Sequence, residues 1–217
     1  MQEIAPRIVF WVLGIPVTDS VTTTWVVMGI IFVFSWILAR SLSEYPSKIQ
    51  SLFETLIEFY DNIAVQVMGE KGKQFVPLAL SIGIFILLSN WIEIIPGFNA
   101  PTRDLSTTVA LAIVAVASTY VAGIREKGWR FFKKYIEPNP ILLPLNILEE
   151  LVRPVSLSFR LFGNIIGEEI VIALLVMLVP LILPIPMMLL GLFTGLIQAF
   201  IFSLLTLLYI AGAIEEE

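Results

Sequence analysis

Residues 151–179 read LVRPVSLSFRLFGNIIGEEIVIALLVMLV, an apolar stretch long enough to cross a lipid bilayer as a helix. Arg160 interrupts this stretch, and a charged side chain at the centre of a membrane costs roughly 2.5–3.5 kcal/mol on insertion scales. Arginine cannot avoid that cost by losing its proton, because the guanidinium stays charged throughout the physiological pH range. We therefore expect Arg160 to meet a negative charge inside the membrane.

The composition is that of an integral membrane protein. Of the 217 residues, 58% are hydrophobic and 14% are charged, and the mean hydropathy is +0.92. The absence of cysteine excludes disulfides and thiolate metal sites. The absence of histidine removes the side chain that most often exchanges protons near neutral pH. Proton exchange must therefore use carboxylates, amides and water, and we predict no cofactor, metal or catalytic site in this chain.

Five apolar segments predict an all-α, polytopic membrane fold. Their approximate bounds are 23–39, 75–95, 107–124, 146–178 and 186–213. Pro180, Pro184 and Pro186 predict a tight hairpin between the last two segments. Because we find no second domain and no internal repeat, residues 1–217 should form one membrane domain.

The fourth segment is longer than a membrane requires. As a single helix it would measure about 50 Å, against a hydrocarbon core of about 30 Å. We therefore expect a strong tilt, or first turns that lie among the headgroups. Pro154 should kink this helix or mark a new start.

A different kind of helix is predicted between the first two spans. In residues 47–69 apolar side chains recur at helical spacing and charged ones fill the other face. This pattern is typical of an amphipathic helix on a membrane surface, and a soluble helix packed against a partner is the alternative. Residues 7–17 lack the pattern of a cleavable signal, so we interpret them as an interfacial segment.

The basic residues predict the orientation. They concentrate in the loops after the first and third spans: Arg40, Lys48, Lys71, Lys73, Arg125, Lys127, Arg130, Lys133 and Lys134. With five spans these loops share one side, and an excess of basic residues makes that side cytoplasmic. Arg7 and Arg103 remain on the opposite side. The N-terminus should then be outside and the C-terminal Glu215–Glu217 inside.

Polar and small residues share one face of the fourth segment. A step of 100° per residue places five positions on one stripe: Arg153, Ser156, Arg160, Asn164 and Gly167. Gly163 flanks the stripe, and Gly163 with Gly167 forms a small-residue pair that lets another helix approach closely. Ordinary helix packing is the alternative explanation for the glycines, but it does not explain the arginine.

Arg160 has no evident counter-charge in its own segment. Glu169 lies about 13–14 Å further along the helix axis and faces another side. Glu93 is the main candidate elsewhere in the chain, but it sits near the outer end of the second span. We therefore expect the partner carboxylate to lie on a different polypeptide.

Other polar residues interrupt the apolar spans and predict a hydrated pocket open to the outer side. They are Asn90, Glu93, Glu168, Glu169 and Gln198. Burial disfavours the charged form of a carboxylate, so such groups can exchange protons near neutral pH. For Asn90 and Gln198 the alternative is a hydrogen bond to a neighbouring helix.

Two stretches resemble the signature helices of subunit a of the F-type ATP synthase. Residues 149–169 read EELVRPVSLSFRLFGNIIGEE, and residues 198–209 read QAFIFSLLTLLY. Residues 90–93 (NWIE) and 96–108 (PGFNAPTRDLSTT) resemble the second span and following loop of that family. The resemblance covers most of the chain from about residue 42, and RLFGN with a downstream QAFIF is highly specific.

The resemblance implies a stator whose last two helices form a hairpin against a rotating ring of c subunits. It also implies peripheral-stalk b subunits and a bacterial plasma membrane. By this resemblance Arg160 faces the ring carboxylates and Gln198 neighbours it, while Asn164 and Ser156 lie along the ion path. Glu169 would belong to the outer of two half-channels.

Protons are the expected ion, and a sodium-translocating version of the same subunit is the alternative. A self-contained secondary transporter or channel is the competing class. Inverted repeats or unwound half-helices would favour it, and we find neither in the sequence.

The sequence departs from the family at one pair of positions. Some bacterial members carry histidine where this chain has Gly191, and glycine where it has Glu168. The polar and the small residue therefore look exchanged between two helices. This exchange predicts that Glu168 and Gly191 face one another across a shared cavity.

Overall fold

The computed structural model describes residues 8–12, 15–43, 46–95, 97–135, 140–179 and 182–214. The α-helices in these ranges are α1 (Asp19–Arg40), α2 (Lys48–Met68), α3 (Val76–Trp91), α4 (Leu105–Lys127), α5 (Leu143–Leu178) and α6 (Pro184–Ile214). Five helical segments are long and apolar enough to cross a membrane: α1, the continuous segment that contains α2 and α3, α4, α5 and α6. The all-α, polytopic fold is thereby confirmed.

Helices α3 to α6 pack around one apolar core. Each helix contributes two of its buried residues: Ile82, Ile86, Ala112, Ala115, Leu157, Leu161, Ala199 and Phe202. Alanines on the buried side of α4 let the neighbouring helices approach closely. α1 lies at the edge of this bundle and buries Ser20, Thr23 and Val27. The bundle therefore holds α5 and α6 side by side.

The ends of α2 and α4 follow local capping rules. The Ser47 hydroxyl accepts a hydrogen bond of 3.2 Å from the Gln50 N–H at the start of α2. The Asp104 carboxylate accepts one of 2.9 Å from the Ser106 N–H at the start of α4. Gly69 and Gly128 end these helices with φ values of 64° and 59°, a backbone conformation that glycine adopts without strain.

Helix α2 docks on the bundle by one edge of its apolar face. Tyr60 and Ala64 are buried, and the Tyr60 hydroxyl is 2.6 Å from the Ser203 Oγ of α6. Ile49 and Leu52 are exposed on the rest of that face. The predicted bounds, 47–69, agree with Lys48–Met68. The position of this helix on a membrane surface stays a prediction.

The two basic loops lie on the same side of the bundle, as predicted. Lys71 Nζ, in the 3-10 segment that follows α2, is 3.1 Å from Glu126 Oε2 near the end of α4. The predictions for the N-terminus, for Pro180 and for Glu215–Glu217 concern residues outside the described ranges. The predicted hairpin after the fourth span agrees with the break between Leu178 and Pro184.

Two features differ from expectation. The interfacial segment predicted over residues 7–17 contains an antiparallel hairpin of β1 (Ile8–Val12) and β2 (Ile15–Thr18), which we did not predict. Its isoleucines and valines favour extended backbone. The proposed new helix start at Pro154 is wrong, because α5 is one helix of 36 residues that continues through this proline. A membrane helix tolerates the one lost hydrogen bond where neighbouring helices pack against it.

Candidate functional site

Arg160 lies on an exposed face of α5. This helix turns Leu157, Leu161 and Ile165 towards the bundle at intervals of four residues. Arg160 is exposed, so its side chain lies outside this buried row. Arg160 makes no ion pair or hydrogen bond with any residue that the structure describes. The alternative that Glu93 neutralises Arg160 is therefore not observed.

The residues predicted to share the arginine's face are exposed with it. We call this surface the Arg160 face; it comprises Ser156, Arg160, Gly163, Asn164 and Gly167. No atom of the described chain, beyond the helix itself, lies within 4 Å of a Cβ built on Gly163 or Gly167. The face is therefore open to close approach by a helix of another chain.

A small polar cavity lies between α3, α5 and α6. We call it the Glu168 cavity; it has a volume of about 40 Å³, and its lining includes Asn90, Glu93, Glu168 and Gly191. A cavity of this size holds at least one water molecule. A Cβ at position 191 would collide with the Glu168 carboxylate. Glu168 and Gly191 therefore face one another as the sequence predicted, and the glycine makes room for the carboxylate.

Glu169 points to a different neighbour. Its Oε1 is 3.0 Å from Nη1 of Arg103, whose residue is only 6% exposed. Arg103 belongs to a 3-10 turn, Pro101–Arg103, that precedes α4. Thr102 in this turn donates a hydrogen bond of 2.6 Å to the Asn90 carbonyl oxygen, Oδ1. The turn therefore packs between α3 and α5, next to the Glu168 cavity.

A second polar cavity lies near the start of α5 and the end of α6. We call it the Arg153 cavity; it has a volume of about 240 Å³, and its lining includes Asn146, Glu149, Glu150, Arg153 and Tyr209. Arg153 is 2.9 Å from the Glu149 carboxylate and 3.3 Å from the Glu150 carboxylate. Its guanidinium carbon lies 5.2 Å from the centre of the Tyr209 ring.

Arg160 lies between the two cavities along α5. Seven residues separate it from Arg153 and eight from Glu168, which corresponds to about 10 Å and 12 Å along the helix axis. The two cavities are therefore offset along the helix, and a fixed positive charge stands between them.

The structure brings some of the predicted residues together and leaves others apart. Asn90, Glu93 and Glu168 line one cavity. Gln198 is buried on α6, one turn beyond the Gly195 carbonyl that accepts a 3.4 Å hydrogen bond from Asn90. Neither Gln198 nor Glu169 is among the lining residues of the Glu168 cavity. Their roles in ion translocation stay predictions.

Sequence reasoning missed the local partners of the arginines. Arg103 was counted only as a charge in a loop, and nothing in its neighbourhood of the sequence points to Glu169. Glu149 and Glu150 did carry a signal, because they precede Arg153 by four and three residues, the spacing at which helical side chains meet.

These features define a polytopic helical membrane protein with a fixed charge on an open helix face and a polar cavity on either side of it. The sequence profile of the family described as ATP synthase A chain matches residues 21–211. The chain belongs to this family, the subunit a of ATP synthases.

Curated relatives agree over nearly the whole length. The ATP synthase subunit a of Moorella thermoacetica is 41% identical over 216 residues, which cover 99% of each chain. The ATP synthase subunit a 1 of Syntrophotalea carbinolica is 44% identical over 200 residues, or 90% of this chain and 86% of the relative. The ATP synthase subunit a 3 of Pelobacter propionicus is 41% identical over 202 residues, or 91% and 88%.

Proposed function

We propose that this chain carries protons through two offset half-channels to and from the carboxylates of a rotating c-ring. The observation that carries the proposal is Arg160, which is exposed on α5 and has no partner in the described chain. A permanent charge on an apolar helix needs a counter-charge, and a carboxylate on a facing ring supplies one. Peripheral-stalk b subunits complete the stator.

Each cavity corresponds to one half-channel in this proposal. The Glu168 cavity is the outer half-channel, where Glu168 and Glu93 exchange protons with water and with the ring. The Arg153 cavity is the cytoplasmic half-channel, since it lies towards the end of the bundle where Lys71 meets Glu126 between the basic loops. The N-terminus is then outside and the C-terminus inside. We propose protons as the ion, because buried carboxylates can exchange protons near neutral pH.

Arg160 separates the two half-channels. A ring carboxylate protonated on the outer side faces the lipid for most of a turn and reaches the cytoplasmic half-channel still neutral. The guanidinium favours the ionised form of the arriving carboxylate and so promotes release of its proton. The same positive charge repels a proton that would leak directly between the half-channels. A membrane potential supplies about 2.3 kcal/mol per charge per 100 mV to drive this cycle.

Disulfide crosslinking tests which face meets the ring. The chain contains no native cysteine, so single substitutions give an unambiguous signal. In assembled complexes, Ser156→Cys and Asn164→Cys should each form an oxidant-dependent crosslink to a cysteine placed beside the ring subunit's carboxylate. Val114→Cys is the matched control, because Val114 is 48% exposed on a membrane helix outside the Arg160 face. Equal crosslinking of Val114→Cys, or none at either test position, would reject the proposed ring interface.

A further inference from the structure

The ion pair between Arg103, which is buried, and Glu169, which is partly buried, lies next to the proposed outer half-channel. The Arg103 side chain is 4% exposed and that of Glu169 is 22% exposed, with 3.0 Å between Nη1 and Oε1. A buried charge is strongly unfavourable unless a partner lies close, so each of these residues depends on the other. The pair joins the loop before α4 to the C-terminal part of α5.

The loop that carries Arg103 is anchored on two other helices. Thr102 Oγ1 donates a 2.6 Å hydrogen bond to Asn90 Oδ1 of α3. Asn99 Nδ2 donates one of 2.6 Å to the Asp19 carboxylate at the start of α1. The Arg103 guanidinium is therefore held over Glu169 by a loop whose residues just before Arg103 contact α1 and α3.

Several charged groups surround this position. Glu93 lies within electrostatic range of Glu168, Glu169 and Arg103. α6 contributes Gly191 and Leu192, which carry no charge, to the cavity wall. Asp104 follows Arg103 directly in the sequence, and its carboxylate accepts a hydrogen bond from Ser106. Asp19 contacts the loop that carries Arg103, and its carboxylate accepts a hydrogen bond from Asn99. Glu93 and Glu169 therefore both lie within electrostatic range of one guanidinium, and that guanidinium contacts Glu169.

We infer that Arg103 is a positioning residue of the outer half-channel. It holds Glu169 in a fixed ion pair, and Glu168 and Glu93 are the carboxylates that exchange protons in the cavity. Glu168 and Glu169 are adjacent in sequence, and a helix turns neighbouring side chains apart by about 100°. One therefore faces the cavity while the other faces Arg103. This inference rests on the proposed function, because it assigns roles within the proposed outer half-channel. Glu168 and Glu93 exchange protons there, and Glu169 has a structural role.

A double-mutant cycle on Arg103 and Glu169 tests the inference in the assembled ATP synthase, reconstituted in proteoliposomes. The rate of ATP synthesis driven by an imposed proton gradient is measured for four variants and divided by the amount of assembled complex. The variants are Arg103→Gln, Arg103→Lys, Glu169→Gln and the double variant Arg103→Gln/Glu169→Gln. Passive proton conductance of the membrane sector is measured in parallel.

Each single substitution removes one charge of the Arg103–Glu169 pair, so we expect Arg103→Gln and Glu169→Gln each to slow synthesis about tenfold without raising the passive conductance. Arg103→Lys should stay within about threefold of the unmodified protein, because the adjacent Glu169 carboxylate favours the charged form of the ammonium. The double variant removes both charges and should be faster than either neutral single variant. That recovery is not expected if Glu169 itself carries the proton.

Lys71→Gln is the matched control, because Lys71 forms an exposed ion pair with Glu126 on the other side of the bundle, and exposed pairs contribute little. The inference is overturned if Arg103→Gln behaves like Lys71→Gln, or if the double variant is no faster than Glu169→Gln. The crosslink from Asn164→Cys does not depend on this pair. If the Asn164→Cys crosslink forms but the double variant shows no recovery, the inference alone is rejected. If the crosslink does not form, the proposed function is rejected.

Discussion

Arg160 and Arg103 carry the same charge in opposite surroundings. Arg103 is 6% exposed and lies 3.0 Å from a carboxylate of its own chain. Arg160 is exposed and has no partner among the described residues. Arg153, a third arginine, lies on α5 and pairs with Glu149 and Glu150. Within the described residues, Arg103 and Arg153 are therefore neutralised by carboxylates, whereas Arg160 has no counter-charge there.

This difference indicates where each counter-charge resides. A buried arginine must be neutralised when the chain folds, because an unpaired buried charge would cost several kcal/mol. An arginine on an exposed face of a membrane helix can be neutralised later, when another chain docks. Such a face can also meet a succession of partners, which suits a stator that faces a turning ring. The surroundings of Arg103 are typical of a residue that stabilises the fold, and those of Arg160 are typical of a residue at an interface between chains.

The largest effect should follow from removing the exposed charge. Arg160→Ala should abolish ATP synthesis driven by a proton gradient, while the complex still assembles, because Arg160 forms no ion pair or hydrogen bond with the residues that the structure describes. Arg160→Lys should restore little activity, since the ammonium is compact, strongly hydrated and able to lose its proton on burial. The measurement is synthesis in proteoliposomes, normalised to assembled complex.

Arg125→Ala is the control for this first prediction. Arg125 is an exposed arginine near the end of α4, outside the Arg160 face and both cavities. Its replacement should leave the rate of synthesis unchanged. Normal synthesis by Arg160→Ala complexes would contradict the prediction. It would also contradict the conclusion that Arg160, unlike Arg103, is neutralised by another chain.

An intermediate effect should follow from changes at position 191. A side chain there would collide with the Glu168 carboxylate, so Gly191→His alone should slow synthesis strongly, by about tenfold or more. Glu168→Gly should also slow it, because the cavity loses a group that exchanges protons. The double variant Glu168→Gly/Gly191→His should be faster than either single variant, since imidazole then occupies the vacated space and titrates near neutral pH.

Gly29→His provides the matched control for the glycine change. Gly29 lies in α1, and the described chain has no atom within 4 Å of a Cβ built there. We expect this control to retain most of its activity. Strictly multiplicative losses in the double variant would show that positions 168 and 191 do not share a cavity.

The sequence predicted the fold and the exposed face better than the pairing of charges. Hydropathy and helical spacing are local properties, so the spans, the hairpin before Pro184 and the Arg160 face could be read directly. The β1–β2 hairpin was missed because apolar β-branched residues near a membrane also suit an interfacial segment. The continuity of α5 through Pro154 depends on packing by neighbouring helices, which local rules do not describe.

The pairing of Arg103 with Glu169 joins positions 66 residues apart and depends on the packing of a loop against α1, α3 and α5. No periodic pattern links such positions. The pairing of Glu168 with Gly191 could be predicted only because the resemblance to relatives indicated an exchange of polar and small residues. Sequence patterns therefore predict the faces of helices, whereas the contacts that loops make with distant helices can be known only from the three-dimensional structure.

The smallest effect should appear at Asp19, which supports Arg103 indirectly. Its carboxylate accepts hydrogen bonds from Asn99, in the loop that carries Arg103, and from the Ser20 N–H at 2.9 Å. Asp19→Ala loses both and should slow synthesis about twofold, because a looser loop positions Arg103 less well. Asp19→Asn keeps one of the two acceptor oxygens and should therefore slow synthesis less than Asp19→Ala. The crosslink from Asn164→Cys should be unaffected, since the Arg160 face does not depend on this loop. Combined with Arg103→Gln, Asp19→Ala should cause no further loss; an additional twofold loss in that background would mean that Asp19 acts independently of Arg103.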